Sequence, residues 1–145
     1  MYIFTGSPPT GGSGSVVAFA AYHNNSRTYY EEETLIFDQV ITNLENYYNP
    51  VTGVFTCIEA GVYQFSLSIT HDTYQMVADI EKSGTAIATA YGFFGNTYDQ
   101  GSVTVTVECS IGESVYAVSK AYGGTLAGVG DDFRLWSMFS GHKVN

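Results

Sequence analysis

Positive charge is the scarcest property of this sequence. Its 145 residues include five lysines and arginines against fourteen aspartates and glutamates, which gives a formal net charge of −9 at pH 7. Nucleic-acid-binding proteins neutralise phosphates with lysine and arginine, and anionic membrane surfaces attract basic segments, so this balance argues against both partners. The carboxylates are suited to a cation such as Ca²⁺, which prefers oxygen ligands, or serve only to keep the protein soluble.

Cysteine and long apolar runs are also scarce. The only two cysteines, Cys57 and Cys109, are too few for a disulfide scaffold. Both lie in strand-like patterns and are expected to face inward, either as buried free thiols or as a single bridge between two sheets. No run of about 18 apolar residues predicts a transmembrane helix. The start of the chain lacks the apolar segment of a secretory signal, so secretion with the signal removed and a cytosolic location both stay open.

Aromatic side chains and alternating strand patterns are abundant. Twelve tyrosines and nine phenylalanines favour strands, and residues 102–111 alternate apolar odd positions with mostly polar even ones. Short segments of this kind, separated by turn signals, predict an all-β sandwich or jelly roll. Glycine- and serine-rich residues 1–15 predict a flexible lead-in to one globular domain, residues 16–145. The predicted strands are residues 15–22, 34–41, 47–48, 54–57, 62–69, 75–82, 85–94, 102–111, 114–119 and 133–140.

The stretch 35–67 holds the densest set of aromatic and glycine positions. Residues 54–57 and 62–69 both alternate, and the short segment 59–61 between them resembles a turn. We therefore predict a β-hairpin in which Gly61 supplies a positive φ. In the preceding strand we expect Leu35, Phe37 and Val40 to be buried.

The same stretch carries a spaced pattern that resembles the C1q-domain family, the globular head of a complement component that shares its fold with tumour necrosis factor. Leu67 stands where that family has Phe or Tyr, which keeps the position apolar. Residues 18–21, 105–116 and 139–141 resemble further family segments, so the resemblance covers about residues 16–145. The positions that fall on the family pattern are Phe37, Asn43, Tyr48, Phe55, Gly61, Tyr63 and Phe65.

The resemblance implies a C1q/TNF-like jelly-roll β-sandwich of about ten antiparallel strands that assembles as a homotrimer. It implies non-enzymatic recognition of glycans or microbial surface ligands in innate immunity, as in the stalkless C1q-domain proteins of invertebrates. A trimer would strengthen weak single-site binding through avidity. The alternative is a cytokine-like trimeric ligand for a protein receptor, because a fold does not determine which of the two functions it serves.

Candidate site residues lie in the loops. Some family members bind Ca²⁺ through an aspartate before the long valine strand, and Asp99 with Gln100 occupies that place, although Asp is also a common turn former. For ligand binding we predict His71, Tyr74, Tyr98 and Tyr122. The wider set of exposed aromatic candidates adds Tyr29, Tyr30 and Trp136.

No catalytic constellation is evident. His23, His71 and His142 lie in separate turns or the tail, and no Gly-x-Ser-x-Gly nucleophile motif occurs at a strand-to-helix turn. No His/Cys spacing suits zinc either. The sequence therefore predicts a protein that is not an enzyme.

Overall fold

The computed structural model of the chain describes residues 15–70, 76–92, 100–121, 124–128 and 137–145. These residues form twelve β-strands and no helix, and none of their elements is a helix long and apolar enough to cross a membrane. The strands are β1 Ala18–Tyr22, β2 Arg27–Tyr29, β3 Gln39–Leu44, β4 Tyr48–Asn49, β5 Val54–Thr56, β6 Gly61–Thr70, β7 Met76–Lys82, β8 Thr85–Gly92, β9 Gln100–Cys109, β10 Ser114–Ser119, β11 Gly124–Leu126 and β12 Met138–Lys143.

Ten of these strands form two five-stranded antiparallel sheets. The first sheet has the order β3-β1-β12-β6-β9 and the second the order β4-β5-β10-β7-β8. A separate two-stranded ribbon pairs β11 with β2. The all-β jelly-roll sandwich expected from the sequence is confirmed, with the expected ten strands in the main sheets and the ribbon in addition.

The predicted hairpin of residues 54–69 is wrong. β5 pairs with β4 and β10 in the second sheet, whereas β6 pairs with β12 and β9 in the first. The segment between them is therefore a crossover from one sheet to the other. Gly61 does not have a positive φ; a Cβ there would lie 2.6 Å from Lys143 Cε and 3.2 Å from the Asn145 carbonyl oxygen, so close packing of the chain's end explains the glycine.

The family-pattern residues build one aromatic core between the sheets. Phe65 is fully buried, and its ring centroid lies 5.3 Å from that of Phe55 and 6.4 Å from that of Phe19. The Tyr48 hydroxyl donates a hydrogen bond to the Phe37 carbonyl oxygen at 2.8 Å, and the Asn43 amide donates to the Tyr48 carbonyl oxygen at 2.7 Å. These polar groups are satisfied within the core, so the aromatic rings can be buried without unpaired donors.

Three local predictions around the first sheet also change. The predicted strand 34–41 begins at Gln39 instead, and Val40 is 41% exposed rather than buried, because β3 lies at the edge of the first sheet. Tyr29, named as an exposed candidate, is fully buried in β2. The last strand extends to Lys143, beyond its predicted end, while residues 133–136 lie outside the described ranges.

Candidate functional site

Four strands of the two sheets end together at one end of the sandwich, which we call the distal end. The register pairs Thr70 with Gln100 and Met76 with Gly92. The sheets approach so closely here that a Cβ on Gly101 would collide with the Tyr91 carbonyl oxygen. Of the predicted site residues, His71, Tyr74, Tyr98, Asp99 and Tyr122 lie outside the described residues, and segments 71–75 and 93–99 connect these strand ends.

Gln100 is the predicted metal-site residue that the structure places. Its side-chain amide donates a hydrogen bond to the Thr70 hydroxyl at 3.1 Å. Thr70 is itself buried, donates its backbone N–H to Ser137 Oγ at 3.1 Å and accepts from the Ala127 N–H at 2.8 Å. Gln100 therefore joins β9 to β6 at the distal end. In the described part of the chain, no three His, Cys, Asp or Glu side chains group as metal ligands, and the role of Asp99 and Gln100 in binding calcium stays a prediction.

An outward surface on β7 and β8 borders the distal end. It consists of Tyr91, Val77, Thr89 and Asp79, and we call it the β7–β8 surface. Tyr91 is 47% exposed and pairs across the sheet with Val77, and one strand repeat away Thr89 pairs with Asp79. The Thr89 hydroxyl donates a hydrogen bond of 2.6 Å to Asp79 Oδ1. The surface therefore places an exposed aromatic ring beside an ordered hydroxyl–carboxylate pair.

This combination of groups suits a polyhydroxylated ring. An aromatic side chain offers a large, rigid apolar face with a polar hydroxyl at its tip. A carboxylate and a hydroxyl beside it supply the few placed polar groups that orient a ligand. All four residues are on paired strands, so the geometry is held by the sheet rather than by a loop.

A neighbouring ion-pair network limits the charge of this surface. Lys120 Nζ lies 2.6 Å from Glu32 Oε1 and 3.2 Å from Glu81 Oε2. The hydrogen bond that Lys120 donates to Glu32 is the main cause of the raised pKa of Lys120, and the one that it donates to Glu81 adds to the effect, so the ammonium stays charged. Glu81 lies two residues after Asp79 on β7 and is 8% exposed, and Lys120 balances its charge.

The first sheet presents a different outward face, rich in hydroxyl groups. Ser66 of β6 hydrogen-bonds Thr104 of β9 at 2.9 Å, and the Gln64 amide reaches the Thr106 hydroxyl at 3.5 Å. The exposed large apolar side chains of this sheet lie instead at edge strand β3, which exposes Val40, Ile41 and Leu44. We call the outward hydroxyl-bearing side chains of β6, β9 and β12 the hydroxyl face. They are Ser66, Ser68, Ser102, Thr104, Thr106 and Ser140.

The histidines that the structure describes do not form a catalytic set. His23 is buried, and its Nε2 lies 2.8 Å from the Tyr29 hydroxyl, which also accepts the Ile36 N–H at 3.2 Å. Burial lowers the pKa of His23 to about 4, and the nearby Asp38 carboxylate only partly offsets this effect. His142 is exposed on β12, and His71 lies outside the described residues. His23 therefore belongs to the packing of the ribbon against the first sheet.

Sequence reasoning missed the β7–β8 surface because it placed recognition only in loops. The signal was present in β8, where Thr89 and Tyr91 share one side of the strand and the small residues Ala90 and Gly92 share the other. The buried side is the one with small residues. Large aromatic rings fill the core opposite, so β8 contributes little volume to it.

Comparison with known families identifies one match over nearly the whole domain. The family model of the C1q domain matches residues 18–144. Human complement C1q tumor necrosis factor-related protein 5 is 38% identical over 79 residues, which cover 54% of this chain and 32% of that protein. The chain thus spans about a third of the length of this curated relative.

Solved structures share the fold at low sequence identity. The globular domain of zebrafish complement 1qA protein superposes with a TM-score of 0.72 at 14% identity, covering 90% of this chain and 98% of that one. Eiger TNF from S. frugiperda gives a TM-score of 0.70 at 9% identity, covering 90% and 93%. At these identities the likeness concerns the fold alone.

Proposed function

Because the chain belongs to the C1q-domain family, we propose that it is a trimeric, non-enzymatic recognition protein that binds glycans of microbial surfaces in innate immunity. The single observation that supports a glycan ligand is the β7–β8 surface, where the half-exposed Tyr91 ring lies beside the Asp79–Thr89 pair. The protein acts outside the cell, where such ligands occur. Calcium bound at Asp99 and Gln100 would assist the binding of the glycan.

The surface also adjoins in sequence the two segments that contain the predicted ligand residues His71, Tyr74 and Tyr98. Tyr91 is followed by Gly92, the last residue of β8 before segment 93–99, and Val77 follows Met76, the first residue after segment 71–75. Tyr91 and Val77 are thus each close in sequence to one of the two loops that we predicted to bind ligand. Three such surfaces in a trimer would engage a repetitive glycan coat with avidity.

A glycan array tests the ligand class. We expect the wild-type protein to select one carbohydrate class and Tyr91→Ala to weaken binding to the best glycan about tenfold, since a central aromatic contact is a typical hot spot. Ile111→Ala is the control, because Ile111 is 71% exposed in the turn after β9, at the end of that strand opposite Gln100, and it should bind as the wild type does. A blank array would reject the glycan proposal and favour the cytokine-like alternative, while equal binding by all three proteins would reject the surface but keep the ligand.

The hydroxyl face supports the trimer. The hydroxyl groups of this face pair with one another across its strands, so a second copy can pack on it without leaving them unpaired. One row across the face joins Thr104 of β9, Ser66 of β6 and Ser140 of β12. A substitution at Ser66 is therefore at the centre of the face.

Light scattering at micromolar concentration tests the assembly. We expect a mass three times the 15.7 kDa of one chain for the wild type and a monomer for Ser66→Arg, because the packed face would bury an unpaired cation from each copy. Thr85→Arg, at an exposed position of the other sheet, should remain a trimer. A monomeric wild-type protein would overturn the proposal, and a trimeric Ser66→Arg variant would move the interface to another face.

A further inference from the structure

The two cysteines of the chain meet between the two sheets. Cys57 follows β5 of the second sheet, and Cys109 ends β9 of the first. They are 0% and 2% exposed. The Cys57 thiol donates a weak hydrogen bond to the Cys109 carbonyl oxygen at 3.4 Å and another to the Glu59 carbonyl oxygen at 3.1 Å. The structure has both as free thiols, and it places them side by side although 52 positions separate them.

Backbone hydrogen bonds fix this meeting point. The Cys57 N–H donates to the Glu113 carbonyl oxygen at 2.8 Å, and the Gly112 N–H donates to the Cys57 carbonyl oxygen at 2.8 Å. Cys57 is therefore tied to the β9–β10 turn that begins directly after Cys109. Cys109 is held from the other side by its register with Gly61 of β6. The two residues are kept in proximity by the ladder hydrogen bonds of both sheets, independently of the state of their sulfur atoms.

The folded, reduced pair is chemically protected. Burial raises the pKa of the Cys109 thiol to about 12, and its hydrogen-bonding contact with the Cys57 thiol contributes in the same direction. The thiolate is the species that attacks a disulfide, so the thiol of Cys109 does not react in the closed sandwich. Oxidation must therefore occur while the chain folds, before the sheets close over the sulfur atoms.

We propose that Cys57 and Cys109 form a disulfide that bridges the two sheets when the chain folds in the presence of a disulfide oxidant. One cysteine thiolate attacks a sulfur of the oxidant and releases one thiol, and the second cysteine attacks the resulting mixed disulfide and releases the other. In total, two protein thiols and one oxidant disulfide become one protein disulfide and two oxidant thiols. The bond replaces the weak thiol hydrogen bonds and closes a long loop, so it stabilises the sandwich by restricting the unfolded chain.

Refolding with oxidised and reduced glutathione tests the proposal. Denatured, reduced protein is refolded in this buffer, unfolded again without reductant, and its reactive thiols are counted. We expect no reactive thiol and an intact mass lower by about 2 Da, the mass of the two hydrogens lost. The melting temperature of the refolded protein should exceed that of the same protein kept in reductant by about 10 °C.

Two further measurements keep the outcome decisive. Protein that is folded first in reductant and then exposed to the same buffer should keep both thiols, because the closed core excludes the oxidant. Cys109→Ala, refolded with glutathione, should melt at the same temperature with and without reductant. Two free thiols, glutathione adducts or chains linked through their cysteines after oxidative refolding of the wild type would each overturn the proposal, whether or not the variant folds.

Discussion

Replacing Phe65 with alanine is expected to lower the free energy of unfolding by about 4 kcal/mol. Phe65 is fully buried, and four rings surround it, with centroids at 5.3 Å for Phe55, 6.1 Å for Tyr63, 6.3 Å for Phe139 and 6.4 Å for Phe19. Because these rings come from both sheets, the cavity left by the truncation cannot close by moving a single strand. Urea denaturation at a fixed protein concentration measures the loss.

The control for this variant is Tyr30→Ala. Tyr30 is 62% exposed and follows β2, so its truncation should change the free energy of unfolding by no more than about 0.5 kcal/mol. A Phe65→Ala protein that loses less than about 1.5 kcal/mol would contradict the aromatic core described here, because a buried phenylalanine with four ring neighbours must contribute more. Fixed protein concentration matters, since dissociation of an assembly also affects apparent stability.

Acidification is expected to destabilise the protein through His23. The pKa of His23 is about 4 in the folded chain against 6.5 in the unfolded chain, and burial is the main cause, since Arg27 adds only a smaller lowering and Asp38 opposes it. The depressed pKa means that the folded state favours the neutral imidazole. Its contribution to stability is complete above pH 6.5, falls between pH 6.5 and pH 4, and is lost below, a change of about 3 kcal/mol.

Comparison with His23→Gln isolates this contribution from that of the carboxylates. Glutamine keeps a hydrogen-bonding group near the Tyr29 hydroxyl but does not titrate. The free energy of unfolding of the wild type, measured by urea denaturation, should fall by about 3 kcal/mol more than that of the variant between pH 7 and pH 4. Parallel curves for wild type and His23→Gln would show that the imidazole can accept a proton without cost and would refute the prediction.

Strands β6 and β9 of the first sheet were predictable because their polar and apolar residues alternate strictly. Strand β6 places Phe65 and Leu67 inward with Gln64 and Ser66 outward, and its bounds lie within one residue of the prediction. Alternation shows which side of a strand faces the core, but it does not determine which strand is the hydrogen-bonded partner. For that reason the adjacent strands β5 and β6 were assigned to one hairpin, although their sheets are opposite each other.

The predicted binding residues were chosen from loops because loops commonly carry recognition. That reasoning cannot find Tyr91, whose exposure depends on which side of β8 the core accepts. Tyr29 shows the converse, because a tyrosine in a polar, charged segment is buried once its hydroxyl pairs with His23 and the Ile36 N–H. Burial of a polar aromatic residue depends on partners distant in the fold, and a local pattern does not contain them.

The two ends of the domain lie side by side near Gly61, and this affects how the protein can be attached to a surface. The Lys143 N–H bonds the Val17 carbonyl oxygen at 2.9 Å and the Val144 N–H bonds the Val62 carbonyl oxygen at 2.7 Å, so residues 15–17 and 143–145 leave the sandwich at the end opposite Thr70 and Gln100. A tether attached at either terminus of the domain therefore orients every copy with its distal end toward solution. Biosensor surfaces coupled through the termini will present the β7–β8 surface and the neighbouring loops, whereas random coupling through lysines will not.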